Sequence, residues 1–219
     1  MASSVSVLAD NNVYESVLRS APAEINIVHD QLDAATLVQT VIRYCPPLDG
    51  LDADAFVAGG FIRDFIAGVA PRDLDLYVRT RESLTDLESE LRRANWTLDR
   101  IGMLSTSWRG DRGQSVQLIN AEGQTPAECI RRFDLTICCA AVDLRTHETH
   151  SCVTFLEDVE QKRLAINKPA FPVDTLRRVA RFVGEGYSIC SAQLQILHGC
   201  VLRELHSHGV NAFRPAELL

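Results

Sequence analysis

The segment Phe56-Val57-Ala58-Gly59-Gly60-Phe61-Ile62-Arg63-Asp64, followed by Arg72-Asp73-Leu74-Asp75-Leu76-Tyr77-Val78, constrains the chain more than any other. A short apolar run of the kind that makes a buried strand ends in a glycine pair, which lets the backbone turn tightly into the next apolar run. Phe61 to Ala67 reads as a helix, and Gly68 and Pro71 end it. The apolar and aromatic content of Leu74 to Val78 then predicts a second strand. A strand–turn–helix–strand unit of this kind belongs to an α/β layer.

The unit also carries chemistry. The first amides of a helix have no partner within it, and after a glycine pair they face whatever sits in front, for which phosphate is the natural occupant. Side chains alternate faces along a strand, so Asp73 and Asp75 project from the same one. Two such carboxylates repel by about 1 kcal/mol in water at about 4 Å and by about 4 kcal/mol at an effective dielectric of about 20. A divalent cation removes that penalty. Taken separately, an Asp-x-Asp is commonly a solvated or capping pair and a Gly-Gly a simple turn. Their order and separation, with Arg63, Asp64 and Arg72 between them, distinguish this segment from both.

The segment resembles the signature of polymerase-beta-like nucleotidyltransferases. More narrowly, it is similar to the head shared by class II CCA-adding tRNA nucleotidyltransferases and bacterial poly(A) polymerases, in which Gly-Gly-x-x-Arg-Asp precedes a short helix and Asp-x-Asp. Later motifs follow in the same order. Arg131-Arg132-Phe133-Asp134-Leu135-Thr136-Ile137-Cys138-Cys139-Ala140 resembles the family's Arg-Arg-Asp-Phe-Thr-Ile-Asn-Ala strand, with Phe133 directly before the acid and Cys138 in place of Asn. Leu156-Glu157-Asp158-Val159 resembles the family's hinge segment. Val173-Asp174-Thr175-Leu176-Arg177 resembles its Glu-Asp-x-x-Arg motif, with Val173 in place of Glu, and Arg181-Phe182 its following Arg-Phe.

The resemblance implies an α/β (α+β) fold, a mixed-sheet nucleotidyltransferase head over residues 1–150 with flanking helices, followed by a partial helical neck over 151–219. It implies that Asp73, Asp75 and Asp134 are catalytic and hold Mg2+, with Asp134 on a strand beside the other two. Gly59, Gly60, Arg63, Asp64, Arg72, Asp174, Arg177 and Arg181 would bind the nucleotide. Asp174 and Arg177, three apart on one helix face, would read the base, although this spacing also suits an ordinary helical salt bridge. Arg63 and Arg72 would support the triphosphate or pair with neighbouring acids.

Composition sets bounds. The 219 residues allow one well-buried domain and part of a second. With 46% hydrophobic and 23% charged residues the chain has the make-up of a soluble globular protein. No stretch approaches the ~18 apolar residues of a membrane span. Met1 to Ser6 lacks the pattern of a secretory leader, so a cytoplasmic location and no membrane partner are expected. Seven cysteines without a Cys-x-x-Cys pair argue against a disulfide framework. His147, His150 and Cys152 are close in sequence, but their neighbours read as an exposed turn rather than a zinc site. The net charge of −7 is not that of a protein coating nucleic acid, although Lys162, Arg163, Lys168, Arg177, Arg178 and Arg181 against Asp174 suggest a local electropositive wall.

Helical periodicity covers Asn11 to Ser20 and Asp33 to Tyr44, the second capped by Asp33 and stopped by Pro46-Pro47. Glu82 to Ala94, Thr125 to Arg131, Pro172 to Tyr187 and Ser191 to His206 are further helices. Trp96 to Ser107 and Ser115 to Asn120 read as strands around Arg109 to Gly113, a hairpin tip or a lid over the nucleotide.

The function expected is transfer of a nucleoside monophosphate from a nucleoside triphosphate to an acceptor hydroxyl, an RNA or tRNA 3′ end, with release of pyrophosphate. The chain stops about forty residues after the base-reading motif. Either a different or smaller acceptor, or a second copy or partner subunit that replaces the missing body and tail, is therefore expected. The alternatives are a degenerate, non-catalytic nucleotide-binding module and a transferase acting on a protein or small-molecule hydroxyl.

Overall fold

The computed structural model describes residues 25–208. The expected helix Asn11 to Ser20 and the first residues of the chain lie outside them. A mixed sheet of eight strands carries the fold, in the order β1-β8-β7-β2-β3-β6-β5-β4. Its strands are β1 (Ile27–His29), β2 (Ala55–Ala58), β3 (Leu74–Val78), β4 (Thr97–Ile101), β5 (Ser105–Arg109), β6 (Ser115–Asn120), β7 (Ala140–Asp143) and β8 (Thr149–Cys152). β3 runs antiparallel to β2 and parallel to β6. Helices α1 (Ala34–Tyr44), α2 (Gly60–Ile66), α3 (Arg81–Arg93) and α4 (Pro126–Ile130) flank it. Then come α5 (Phe155–Glu160), α6 (Pro172–Gly184) and α7 (Ser191–His208), with a two-stranded parallel ladder of β9 (Arg163–Leu164) and β10 (Ser188–Ile189).

Local chemistry sets most boundaries. Asp33 accepts from the Thr36 amide at 3.1 Å and opens α1, while Thr80 caps α3. Thr125 and Glu128 form a reciprocal capping box at α4. The apolar face of α3 buries Leu87 and Leu91 against the sheet. β2 is buried throughout, as a central strand covered on both faces must be. The core continues beyond the sheet through Phe155, Val159, Leu164, Val179, Phe182 and Leu197. Among the described residues no helix is long and apolar enough to cross a membrane.

Three expectations are corrected. Trp96 to Ser107 is not one strand, because the Gly102 amide donates to the Ser105 carbonyl at 2.7 Å and folds the segment into the β4–β5 hairpin. The expected exposed turn holds for Arg145, Thr146 and Glu148, where Asp143 caps the turn, but not for Thr149, at which β8 begins with all its residues buried. His147 remains outside, in the turn, at φ 59°. Asp134 does not lie on a strand. The Asn167 and Thr136 amides donate to the Asp134 and Ala165 carbonyls, and the Asn167 side chain donates to the Arg131 and Phe133 carbonyls. The backbone around Asp134 is thus committed to the 165–168 segment, and Thr136–Cys138 winds into a 3-10 turn before β7 starts.

Candidate active site

The site grows from the end of β2. Gly59 has φ 87° and ψ −129°, a conformation open essentially to glycine alone. Its amide donates to the Ala140 carbonyl at 2.9 Å, which pins the turn to the start of β7. A Cβ on Gly59 would stand 3.5 Å from the Phe133 ring, and one on Gly60 would stand 3.5 Å from the Arg63 guanidinium. Phe133, the residue that departs from the family pattern, therefore lies over the glycine turn. Its ring is also 6.2 Å from that of Tyr77, which stacks on Phe56 at 5.2 Å.

β3 brings Asp73 and Asp75 to one face, shared with Tyr77. Asp73 is exposed at the strand entrance and Asp75 is half-buried. Among the described residues neither makes a side-chain hydrogen bond or ion pair. Burial first, and then the charge of Asp73, push the Asp75 carboxyl up to about 7, against an opposing pull from Arg178. The parallel register sets Gln117 of β6 directly beside Asp75. That neighbouring position carries an amide, whose Nε2 donates to Ser105 Oγ at 2.9 Å.

The expected third acid is turned elsewhere. Asp134 is 8% exposed, and its Oδ2 accepts from Thr175 Oγ1 at 2.9 Å while Oδ1 accepts from Arg178 Nη1 at 3.2 Å. It is engaged with α6, and among the described residues no three acidic, histidine or cysteine side chains gather as a metal cluster. Of the three expected carboxylates, Asp73 and Asp75 are unpaired among the described residues and Asp134 is hydrogen-bonded to α6.

The predicted nucleotide-binding arginines are placed and largely paired. Arg63, 7% exposed, donates from Nε and Nη2 to Asp64 Oδ1 at 2.8 and 2.6 Å, and from Nη1 to Cys138 Sγ at 3.5 Å. Arg72 donates to Glu185 at 2.6 Å, and its carbonyl accepts from the Tyr44 hydroxyl. Asp174 and Arg177 meet on α6 at 2.7 Å, the spacing's ordinary salt bridge. Arg181 lies over Phe182 and 3.9 Å from Glu185, and Arg163 pairs with Asp158 and Glu157. The electropositive wall is therefore substantially neutralised by its own acids. The Arg109–Gly113 tip is a tight turn, with Gly110 and Gln114 hydrogen-bonded. Because β6 runs parallel to β3, this tip lies at the Asp73 end of the sheet.

Sequence reasoning passed over Gln117 and Thr175 as site residues and counted Arg178 only in the electropositive wall. The alternation of Ser115 to Asn120 gave a signal for the first, and the helical spacing of Thr175 and Arg178 for the other two.

The fold is that of a nucleotidyltransferase head. The Thermotoga maritima CCA-adding enzyme complexed with tRNA matches with a TM-score of 0.63 at 19% identity, over 81% of this chain and 46% of that one. A CCA-adding enzyme in complex with CTP matches with a TM-score of 0.65 at 20% identity, over 85% and 48%. The complex of a CCA-adding enzyme with ATP gives 0.60 at 18% identity, over 80% and 45%. The chain spans about half the length of these enzymes, and at such identities the likeness is one of fold. Residues 33–162, more than half of the chain, match the Gad2 family, described as Gabija anti-defense 2 family protein, and the chain belongs to that family. No curated protein matches it.

Proposed function

We propose that the chain is a magnesium-dependent nucleotidyltransferase that moves a nucleoside monophosphate from a nucleoside triphosphate to an acceptor hydroxyl, and that this transfer serves the counter-defence role named in its family's description. The observation that carries the reading is the acid pair: Asp75 on β3 and Asp73 just before it share one face beside the Gly59 turn, unpaired among the described residues, with the charge of Asp73 adding to the cost of ionising Asp75. A carboxylate taken largely out of water normally has a hydrogen-bonding or ionic partner, whereas Asp75 lacks one.

The donor set fits magnesium, which takes hard oxygen ligands and is commonly held by one or two carboxylates together with substrate phosphates. Asp73 and Asp75 would hold it, and Gln117, beside Asp75 on β6, adds no charge. The bound ion would neutralise the triphosphate and activate the acceptor hydroxyl. The phosphates would lie against the glycine turn. The acceptor oxygen bonds to the α-phosphorus, the bond from that phosphorus to the bridging oxygen breaks, pyrophosphate leaves, and the hydroxyl proton departs through the solvent-open Asp73 end. Asp174 and Arg177 would exchange their mutual pair for the base edge, a carboxylate accepting and a guanidinium donating.

An RNA 3′ end is the preferred acceptor, since the later motifs resemble the RNA-extending branch and the matched structures are of CCA-adding enzymes with tRNA, ATP or CTP. The family's description favours one second reading, in which the acceptor is a hydroxyl on a component of the Gabija defence. Incorporation of each α-labelled triphosphate, with magnesium, into total RNA and into protein from cells carrying Gabija tests both against Asp73→Asn/Asp75→Asn. Label in RNA that depends on the two acids supports the preferred acceptor, and label in a protein band the second. Absence of acid-dependent label in either overturns the transferase and leaves a nucleotide-binding module.

A further inference from the structure

Asp134 is hydrogen-bonded to α6 and Gln117 is an amide, while the acid face of β3 carries Asp73 and Asp75. Thr175 and Arg178 are three apart on α6 and reach Asp134 through one carboxylate oxygen each, so a single buried acid fixes both the helix and the guanidinium. The Asp134 segment lies on the acid side of the sheet: the adjoining Phe133 ring is 3.5 Å from a Cβ placed on Gly59 and 6.2 Å from Tyr77, which shares its β3 face with Asp73 and Asp75. The Arg178 side chain is 45% exposed, and one of its five N–H donors is used on Asp134. Arg63, Arg72 and Arg177 are by contrast turned to Asp64, Glu185 and Asp174.

We propose that Arg178 is a substrate-contacting residue whose guanidinium binds the triphosphate of a nucleotide held at Asp73 and Asp75, and that Asp134 is the positioning residue that aims it. This rests on the nucleotidyltransferase reading. Arginine's planar, permanently charged fork matches phosphate oxygens in two-pronged fashion, which an ammonium does not. A face with two carboxylates and an amide also offers less negative charge for cations than three carboxylates would, and Arg178 supplies positive charge from the chain itself.

The test is equilibrium binding, with magnesium, of each nucleoside triphosphate and its monophosphate to the full chain and to Arg178→Met, Asp134→Asn and the double variant, with thermal unfolding of each. The wild type is expected to prefer at least one triphosphate over its monophosphate by tenfold or more. In Arg178→Met most of that preference is lost because triphosphate binding falls far more than monophosphate binding, an effect that a purely structural role would not produce. Asp134→Asn gives a smaller loss that vanishes in the Arg178→Met background, because its effect passes through the guanidinium. If Arg178→Met does not fold, Arg178→Lys is read instead, and a loss of threefold or more is expected from the missing fork. A folded Arg178 variant that keeps the full triphosphate preference overturns the proposal and leaves the proposed function standing. A wild type that binds no nucleotide at either phosphate level overturns both.

Discussion

The Arg63 guanidinium lies 4.8 Å from the centre of the Phe182 ring, joining α2, the helix of the glycine turn, to α6. Arg181 covers the same ring at 4.7 Å, and Tyr187 meets it edge-on at 5.4 Å. The glycine turn and α6 therefore share one packing unit, and the distance between them is fixed by a buried aromatic ring rather than by the chain that connects them.

Phe182→Ala is expected to cost about 3–5 kcal/mol, from lost burial and the cavity left behind. Phe182→Leu keeps much of the volume but loses the cation–π contacts, and should cost about 1–2 kcal/mol. Urea unfolding measures both. Equal losses for the two would show that the ring has no role beyond filling space.

Gly59→Ala forces a Cβ into a backbone conformation at φ 87° and ψ −129° and sets it 3.5 Å from Phe133. A loss of about 1–3 kcal/mol is expected, with weakened nucleotide binding in the folded variant. Gly184, at the end of α6 with open space around it, is the contrast. Gly184→Ala should stabilise by about 0.4–1 kcal/mol by restricting the unfolded chain. Denaturation of the two variants side by side checks the pair, and a neutral Gly59→Ala would contradict it.

Burial and Asp73 raise the Asp75 carboxyl from 3.8 to about 7, so between those values the metal-free folded protein keeps a proton that the unfolded chain has released. Stability contributed by this group therefore falls as pH rises through that window, the reverse of an ion-paired aspartate. Asp75→Asn should flatten that part of the stability–pH curve, and Asp73→Asn should lower the Asp75 midpoint. Carboxyl-carbon NMR titration in chelator reads the midpoint directly. A value within the ordinary aspartate range, below about 5, would defeat the prediction.

Asp158, 1% exposed, accepts from Thr136 Oγ1 at 2.7 Å and from Arg163 Nε at 2.6 Å. Arg163→Met leaves a buried carboxylate with the Thr136 hydroxyl but without its counter-charge, and a loss of about 2 kcal/mol is expected. Since Thr136 begins the turn that follows Asp134, Asp158→Ala should also loosen the α6 attachment. Faster amide exchange in residues 134–139 of the folded variant is the check, and unchanged protection there would separate the two networks.

The features legible in the sequence were those fixed within a few residues. Asp33 capping α1, the Thr125–Glu128 box at α4, the alternation that made Ser115–Asn120 a strand, and the two acids on one face of β3 all follow from local geometry. The Asp174–Arg177 spacing was legible as well, along with the salt bridge it forms. Tertiary structure decided what stands next to what. The Ser–Val–Gln–Leu run does not reveal that Gln117 will lie beside Asp75, because that depends on the parallel register of β3 and β6. Nor does Asp134 reveal that it belongs to Thr175 and Arg178. Its segment has the composition of a strand, but the Asn167 side chain and the 165–168 backbone take its hydrogen bonds first. Local sequence determined which elements form and which face their acids occupy. Long-range hydrogen bonding and packing selected the partners of each charge, because a buried carboxylate goes to whichever donor the assembled fold brings within reach.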